Sequence, residues 1–283
     1  MSKYKILFNP KGNNNQAGTQ ARELDDVLKG NELEYIDVFS VKNVKQLVAD
    51  LDSEESLVIA GGDGTLNHFI NDVYGIELKN DVYFYPVGTG NDFLTSIGEE
   101  KGKLIRINDY IKSLPTVTVN GKDYKFINGV GFGIDGYCCE VGDKMREKSD
   151  KPVNYTSIAI KGLLFHFKPV NATVTMDGVI KKFKKVWIAP TMFGGFYGGG
   201  MMPTPDQKRE DGTVSTLLFY GKGRIKTLMV FPKIFKGEHV SHKDMVEVLK
   251  GHEVTVEFDR PTALQIDGET IVGVTKYSVK APK

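Results

Sequence analysis

Leu57-Val58-Ile59-Ala60-Gly61-Gly62-Asp63-Gly64-Thr65-Leu66-Asn67 runs from four apolar residues into a stretch with almost no side chains. The apolar run suits a short buried strand. Gly61, Gly62 and Gly64 leave room for something bulky against bare backbone, and they permit positive φ. A helix is expected to begin near Thr65, with Leu66, Phe69, Ile70 and Val73 at helical spacing. Strand, glycine loop and helix start form an arrangement whose N–H groups and dipole can cradle phosphate. Asp63 adds an anion to that loop, which makes sense beside phosphate only with a cation between them, most simply Mg²⁺. A tight turn with a surface aspartate is the plain alternative. Two glycines, an acid, a glycine and a hydroxyl at a strand end are much less common.

On either side of this stretch, strands alternate with helices. Residues 5–8, 33–39 and 82–85 read as strands, and residues 21–28 and 44–51 as helices. This alternation predicts an α/β fold with a doubly wound, mostly parallel sheet, whose ligands collect at the carboxyl ends of the strands. Asn9-Pro10, the glycine loop and residues 88–92 all follow strands directly. After about Pro115 the character changes. Asn120-Gly121 and Asp177-Gly178 each sit between strand-like runs, as two-residue hairpin turns do. Further strand-like runs cover 185–189, 214–219, 253–258 and 270–274, with helical pieces near 140–148, 155–167 and 225–235. The predicted division is an α/β domain over 1–115 and a β-rich, antiparallel sandwich-like domain over 116–275.

Composition excludes some classes. Lys plus Arg number 37 and Asp plus Glu 36, a net charge of +1 that gives no support to nucleic-acid binding. A 40% hydrophobic fraction is ordinary for a chain that buries a real core. The adjacent Cys138 and Cys139 offer neither zinc spacing nor an unstrained bridge, and read as inert thiols of a reducing cytoplasm. Met1-Ser2-Lys3 leads straight into a strand, so no signal peptide is expected. No apolar run is long enough to span a bilayer.

Four further elements accompany the glycine loop. Pro86-Val87-Gly88-Thr89-Gly90-Asn91-Asp92-Phe93 comes first, then Gly198-Gly199-Gly200-Met201 with Pro203. Asp211-Gly212 and Gln265-Ile266-Asp267-Gly268-Glu269 complete the set. In this order they resemble the bacterial diacylglycerol kinase-type lipid kinases, which share the GGDGT loop with NAD kinases and phosphofructokinases. The resemblance runs from Asn9-Pro10 to Glu269. It implies an ATP- and Mg²⁺-dependent kinase acting on a lipid hydroxyl, with an active-site cleft between two domains and a tail, about 276–283, that returns to the first. The implied partner is a lipid, most simply diacylglycerol, taken from an anionic membrane met peripherally from the cytoplasm. No transmembrane segment is implied, and a homodimer is left open. An NAD kinase-like enzyme on a soluble substrate and a non-catalytic lipid-binding protein on the same fold are the alternatives.

The resemblance also assigns residues. Gly61, Gly62, Asp63, Gly64, Thr65, Leu66, Asn67, Thr89, Asn91, Asp92 and, more weakly, Ser40 fall at nucleotide-binding positions. Asp63 would govern Mg²⁺–ATP directly or through water; Asn91 and Asp92 could equally cap the following helix. Glu269 aligns with the proposed general base, the alternative being a solvated turn glutamate, and Asp267 would help with metal or orient Glu269. Asp211, with the carbonyls of Lys208 and Thr213, falls where relatives hold a structural Mg²⁺, although Asp-Gly alone is a turn. Departures from the family pattern lie in the first loop, Asn9-Pro10-Lys11-Gly12 with Asn13 to Asn15, and at Thr95, often arginine. Finally, Lys222, Arg224, Lys226, Lys233 and Lys236 interleave with Ile225, Leu228, Met229, Phe231, Ile234 and Phe235. That pattern fits a membrane-surface segment or an ordinary core helix with solvated lysines; in either case Pro232 should end or kink the helix.

Overall fold

The computed structural model describes residues 1–10, 12, 17–87, 91–149 and 153–282. They form two compact units, Met1–Ser113 and Leu114–Lys283. No helix among the described residues is long and apolar enough to cross a membrane.

The first unit runs β1 (Lys3–Phe8), α1 (Ala17–Ala21), α2 (Leu24–Val27), β2 (Glu32–Asp37), α3 (Val44–Ala49), β3 (Glu55–Gly61) and α4 (Asp63–Val73). It continues with β4 (Val82–Pro86), α5 (Asp92–Ser96), β5 (Ile105–Arg106) and α6 (Asn108–Lys112). The sheet order is β2-β1-β3-β4-β5, with β1 to β4 parallel and β5 antiparallel. Leu57, Val58, Ile59 and Ala60 are completely buried, the continuous apolar run of a parallel strand covered by helices. β1 has β2 on one side and β3 on the other, so the winding reverses between β1 and β3. Ligands of open α/β sheets bind at such a switch point, and the glycine loop leaves the sheet there.

The expected helix over 21–28 is instead two short helices that begin earlier. Ala17, Ala21 and Leu24 are their buried contacts with Ile6, Val58 and Ala60. Strand β2 stops at Asp37, because Asp37 Oδ1 accepts from Phe39 N at 2.8 Å and turns the chain into a 3₁₀ segment, Val38–Ser40.

The second unit holds β6 (Thr116–Val119), β7 (Lys122–Lys125), β8 (Gly129–Phe132), α7 (Ile134–Arg146), α8 (Tyr155–Lys161), β9 (Val170–Met176) and β10 (Val179–Val186). After these come β11 (Thr191–Met192), β12 (Val214–Phe219), α9 (Arg224–Val230), β13 (Val246–Gly251), β14 (Glu253–Ile266) and β15 (Glu269–Lys280). Its strands pair antiparallel in the order β13-β12-β11-β8-β14-β15-β6-β7, with β9 joining β14 to β10. Both hairpin turns have the required left-handed pairs, Asn120 (φ 50°) with Gly121 (76°) and Asp177 (47°) with Gly178 (82°). β14 is longer than expected. It shifts register between Glu257 and Thr262, around Pro261, pairing with β9 before the bend and β8 after it; proline has no N–H for the ladder, so the shift falls there.

The tail, expected over about 276–283 to return to the first unit, belongs to the second over its described residues. Residues 277–280 pair with β6, and Tyr277 is completely buried in the second unit. Its hydroxyl lies 2.8 Å from Thr191 Oγ1 and 3.0 Å from Ala189 O. α9 ends before Pro232, as proline requires, and a 3₁₀ segment, Phe231–Lys236, follows. Cys138 and Cys139 are free thiols pushed well above their ordinary pKa by burial. His239 is completely buried with Nε2 2.8 Å from Pro203 O; burial lowers its pKa, and it serves as framework.

Candidate active site

The glycines of the 61–64 loop have different tasks. A Cβ on Gly61 would lie 2.4 Å from Thr65 Cβ, so the Thr65 side chain occupies that space and the fold itself demands glycine. A Cβ on Gly62 would meet nothing nearer than Val87 O at 3.7 Å, and Gly62 has φ −94°. Neither fold nor backbone requires glycine at 62; the bare surface is left for something else. Gly62 caps α4, whose first intrahelical bond is Leu66 N to Gly62 O at 3.1 Å. The amides of Gly64 and Thr65 precede that bond, at the positive end of the helix dipole. Leu66 is completely buried and Asn67 nearly so, with Asn67 Oδ1 3.2 Å from Asn71 Nδ2.

Asp63 has backbone partners that its sequence context does not announce. Its Oδ2 accepts from Asn91 N and Asp92 N, both at 2.9 Å, and its Oδ1 accepts from Phe93 N at 3.0 Å. Asp63, expected to govern Mg²⁺–ATP directly or through water, is thus also a clamp on the amino end of α5. Asn91 sits at the cap position in the left-handed region (φ 75°) and makes no side-chain cap bond. The capping anticipated from Asn91 or Asp92 comes from Asp63, a residue in the neighbouring loop. Asn91 and Asp92 are buried. Ser40 is exposed, its hydroxyl bonded at 2.6 Å to Asp37 O. Thr89 and most of the first loop, residues 11 and 13–16, lie outside the described residues.

Asp267 repeats the device in the second unit. It sits at φ 46° in the β14–β15 turn and accepts from Ile127 N at 2.6 Å and from Asn128 N and Gly129 N at 2.9 Å. Its carboxylate thus fixes the start of β8. Glu269, two residues on, is exposed at the head of β15. Sequence reasoning missed the residues that brace this corner. Arg209 donates to Ile127 O and, at 3.0 Å, to Asn128 Oδ1, while Asn128 O accepts from Phe193 N and Gly194 N at 2.9 Å. No spacing rule flags pairs 81 or 82 residues apart.

The metal donors expected from the 208–213 loop are already engaged. Lys208 O and Thr213 O accept from Gln207 Nε2 at 2.9 and 2.8 Å. Asp211 Oδ2 pairs with Lys250 Nζ at 2.5 Å. Among the described residues no group of three or more His, Cys, Asp or Glu could hold a metal ion, and the oxygens of Lys208, Asp211 and Thr213, expected at a structural Mg²⁺, each have a partner within the chain.

Replacing either clamp carboxylate by its amide turns an NH₂ group toward backbone N–H donors. Asp63→Asn and Asp267→Asn should each destabilise the protein by about 1–3 kcal/mol, read as a lower urea midpoint at unchanged m-value. A variant with an unchanged midpoint would remove that clamp from the account of the site.

The two units match two family models. Residues 3–118 match the diacylglycerol kinase catalytic domain, and residues 128–282 match the YegS C-terminal NAD kinase beta sandwich-like domain. A diacylglycerol kinase from Bacillus subtilis is 24% identical over 221 residues, which is 75% of this chain and 70% of that one. A diacylglycerol kinase from Mycobacterium tuberculosis is 25% identical over 211 residues, 72% of this chain and 67% of its own. The fold is that of a crystal structure of a diacylglycerol kinase from Bacillus anthracis, with a TM-score of 0.63 over 100% of this chain and 94% of that one at 17% identity. From its glycine loop to its last strand, this chain belongs to the diacylglycerol kinase-type lipid kinases, a family of enzymes that phosphorylate an alcohol acceptor.

Proposed function

We propose that this kinase transfers the γ-phosphoryl group of ATP to the hydroxyl of diacylglycerol, giving phosphatidic acid. The open backbone at Gly62 carries the reading: a side-chain-free surface at the head of α4, at the sheet's switch point. The amides of Gly64 and Thr65 would receive the ATP phosphates, with Thr65, Asn67, Asn91 and Asp92 around them and Ser40 at the margin; Thr89, expected at the same site, lies outside the described residues. Asp63 acts by holding the 91–93 turn beside that surface. Mg²⁺ arriving with ATP would neutralise phosphate charge. Glu269, exposed at the head of β15, takes the proton of the attacking hydroxyl. Purified protein with labelled ATP and Mg²⁺ should phosphorylate diacylglycerol in mixed micelles and leave NAD untouched; product from NAD alone would overturn the assignment.

Two substitutions separate binding from chemistry. Gly62→Val fills open space without strain, so it should abolish binding of an ATP analogue while leaving the melting temperature near wild type. Retained affinity would remove the phosphate surface from 62. Glu269→Gln keeps the shape but not the proton acceptor, so kcat should fall by on the order of 10²–10⁴ with nucleotide affinity unchanged. A variant that keeps more than about a third of wild-type turnover would mean that the base lies elsewhere.

The lipid must be met at a surface, and α9 supports an anionic membrane as that surface. Its buried side is Thr227 and Val230, followed by Ile234, while Ile225 and Met229 are 76% and 69% exposed. The plain core-helix alternative therefore covers only part of the segment. Arg224 donates to Leu163 O and Phe167 O at 2.7 and 2.9 Å. That holds the turn bearing Phe165, 70% exposed, against α9. Lys226 and Lys236, in the same segment, are exposed, and each cation near an anionic surface contributes about 1 kcal/mol. Lys233 is a poorer probe, since its Nζ lies 3.0 Å from His242 Nε2. Lys226→Glu with Lys236→Glu should leave stability and turnover on dispersed short-chain substrate unchanged, and weaken binding to phosphatidylglycerol vesicles at low salt. Equal vesicle binding by variant and wild type would exclude this face.

A further inference from the structure

The 208–213 loop gathers oxygen atoms that would suit a cation: the carbonyls of Lys208 and Thr213 and the carboxylate of Asp211. Related kinases, by the resemblance above, hold a structural Mg²⁺ at these positions. Here the chain supplies donors of its own. Gln207 is 5% exposed, and its Nε2 donates both hydrogens, to Lys208 O at 2.9 Å and Thr213 O at 2.8 Å. Its Oε1 is held in turn by Ser215 Oγ at 2.6 Å, on a strand residue that is 2% exposed, and its backbone N bonds Thr204 O at 2.9 Å. The amide is fixed at three corners and lies between the two carbonyls. Mg²⁺ would need those oxygens at about 2.0–2.1 Å in an octahedron, which the amide nitrogen excludes.

The charge is met by the neighbouring strand. β12 and β13 pair with Ser215 opposite Lys250, and Lys250 Nζ reaches Asp211 Oδ2 at 2.5 Å. One sheet register therefore brings both substitutes to the loop: Ser215 holds the amide and Lys250 carries the positive charge. The ion pair is half-exposed and adds little stability by itself. The buried amide is the stronger half.

We infer that Gln207 and Lys250 together take the place of a bound metal, so that this loop is held without a divalent cation. The inference does not depend on which lipid is phosphorylated. Wild-type protein without nucleotide should melt at the same temperature in excess Mg²⁺ and in excess EDTA. It should also show no Mn²⁺ binding, by electron paramagnetic resonance, that Asp211→Asn removes. A melting temperature lowered by EDTA, or Mn²⁺ binding lost in Asp211→Asn, would overturn the inference using the wild-type fold alone. Gln207→Ala with Lys250→Ala uncovers both carbonyls and the carboxylate. That variant should melt lower than wild type in EDTA and regain stability as Mg²⁺ is added, by the linkage of a ligand that binds only the folded state. Failure of Mg²⁺ to raise its melting temperature would also count against the two side chains as metal substitutes.

Discussion

Among the described residues, three consecutive backbone N–H groups converge on one carboxylate twice: at 91–93 on Asp63 and at 127–129 on Asp267. Such a turn is a concentrated positive dipole, and a carboxylate is the side chain with enough acceptor sites to satisfy it. Aspartate reaches by a single methylene, so little conformational freedom separates the two partners. In the first unit the clamp joins the loops after β3 and β4, which are adjacent in the sheet with Gly61 beside Pro86. In the second it joins the β14–β15 turn to the start of β8, again a sheet neighbour. The turn that fixes Asp267 also sets the backbone of Glu269.

Because the clamps hold the loops, the loops need few side chains of their own. Gly61 is glycine for a packing reason and Gly62 is not, although the two are adjacent and chemically identical. The distinction comes from Thr65, one helical turn later, which folds back over Gly61 and leaves Gly62 bare. Asn91 tolerates the left-handed conformation that its turn requires, and its burial depends on Asp63 meeting the N–H groups that the turn exposes.

The same rule, that buried acceptors take donors from wherever the fold offers them, accounts for the 208–213 loop. A metal and a pair of side chains are alternative answers to one electrostatic problem. By the inference drawn for this loop, the choice between them rests on the two residues the sheet brings to it, Gln207 through Ser215 and Lys250 across from it.

The sequence by itself determined whatever is local. Leu57 to Asn67 announces strand, loop and helix because apolar periodicity and missing side chains are properties of neighbours in the chain. Asn120-Gly121 and Asp177-Gly178 announce hairpins because few residues adopt positive φ cheaply, and the change of pattern near Pro115 marks where alternating helices give way to paired strands. The order of the motifs carried the family. Only the tertiary structure decided what the polar side chains do. Asp63 reads as an acid for Mg²⁺–ATP, and only the fold shows that it also holds the turn at 91–93. The tail at 276–280 reads as free to return to the first unit until Tyr277 finds Thr191 in the second core. Asp211 reads as a metal ligand, and only the sheet shows that β13 brings Lys250 to it. Each of these partners is distant in sequence, and a hydrogen bond depends on where the folded backbone puts donor and acceptor, which neither spacing nor composition encodes.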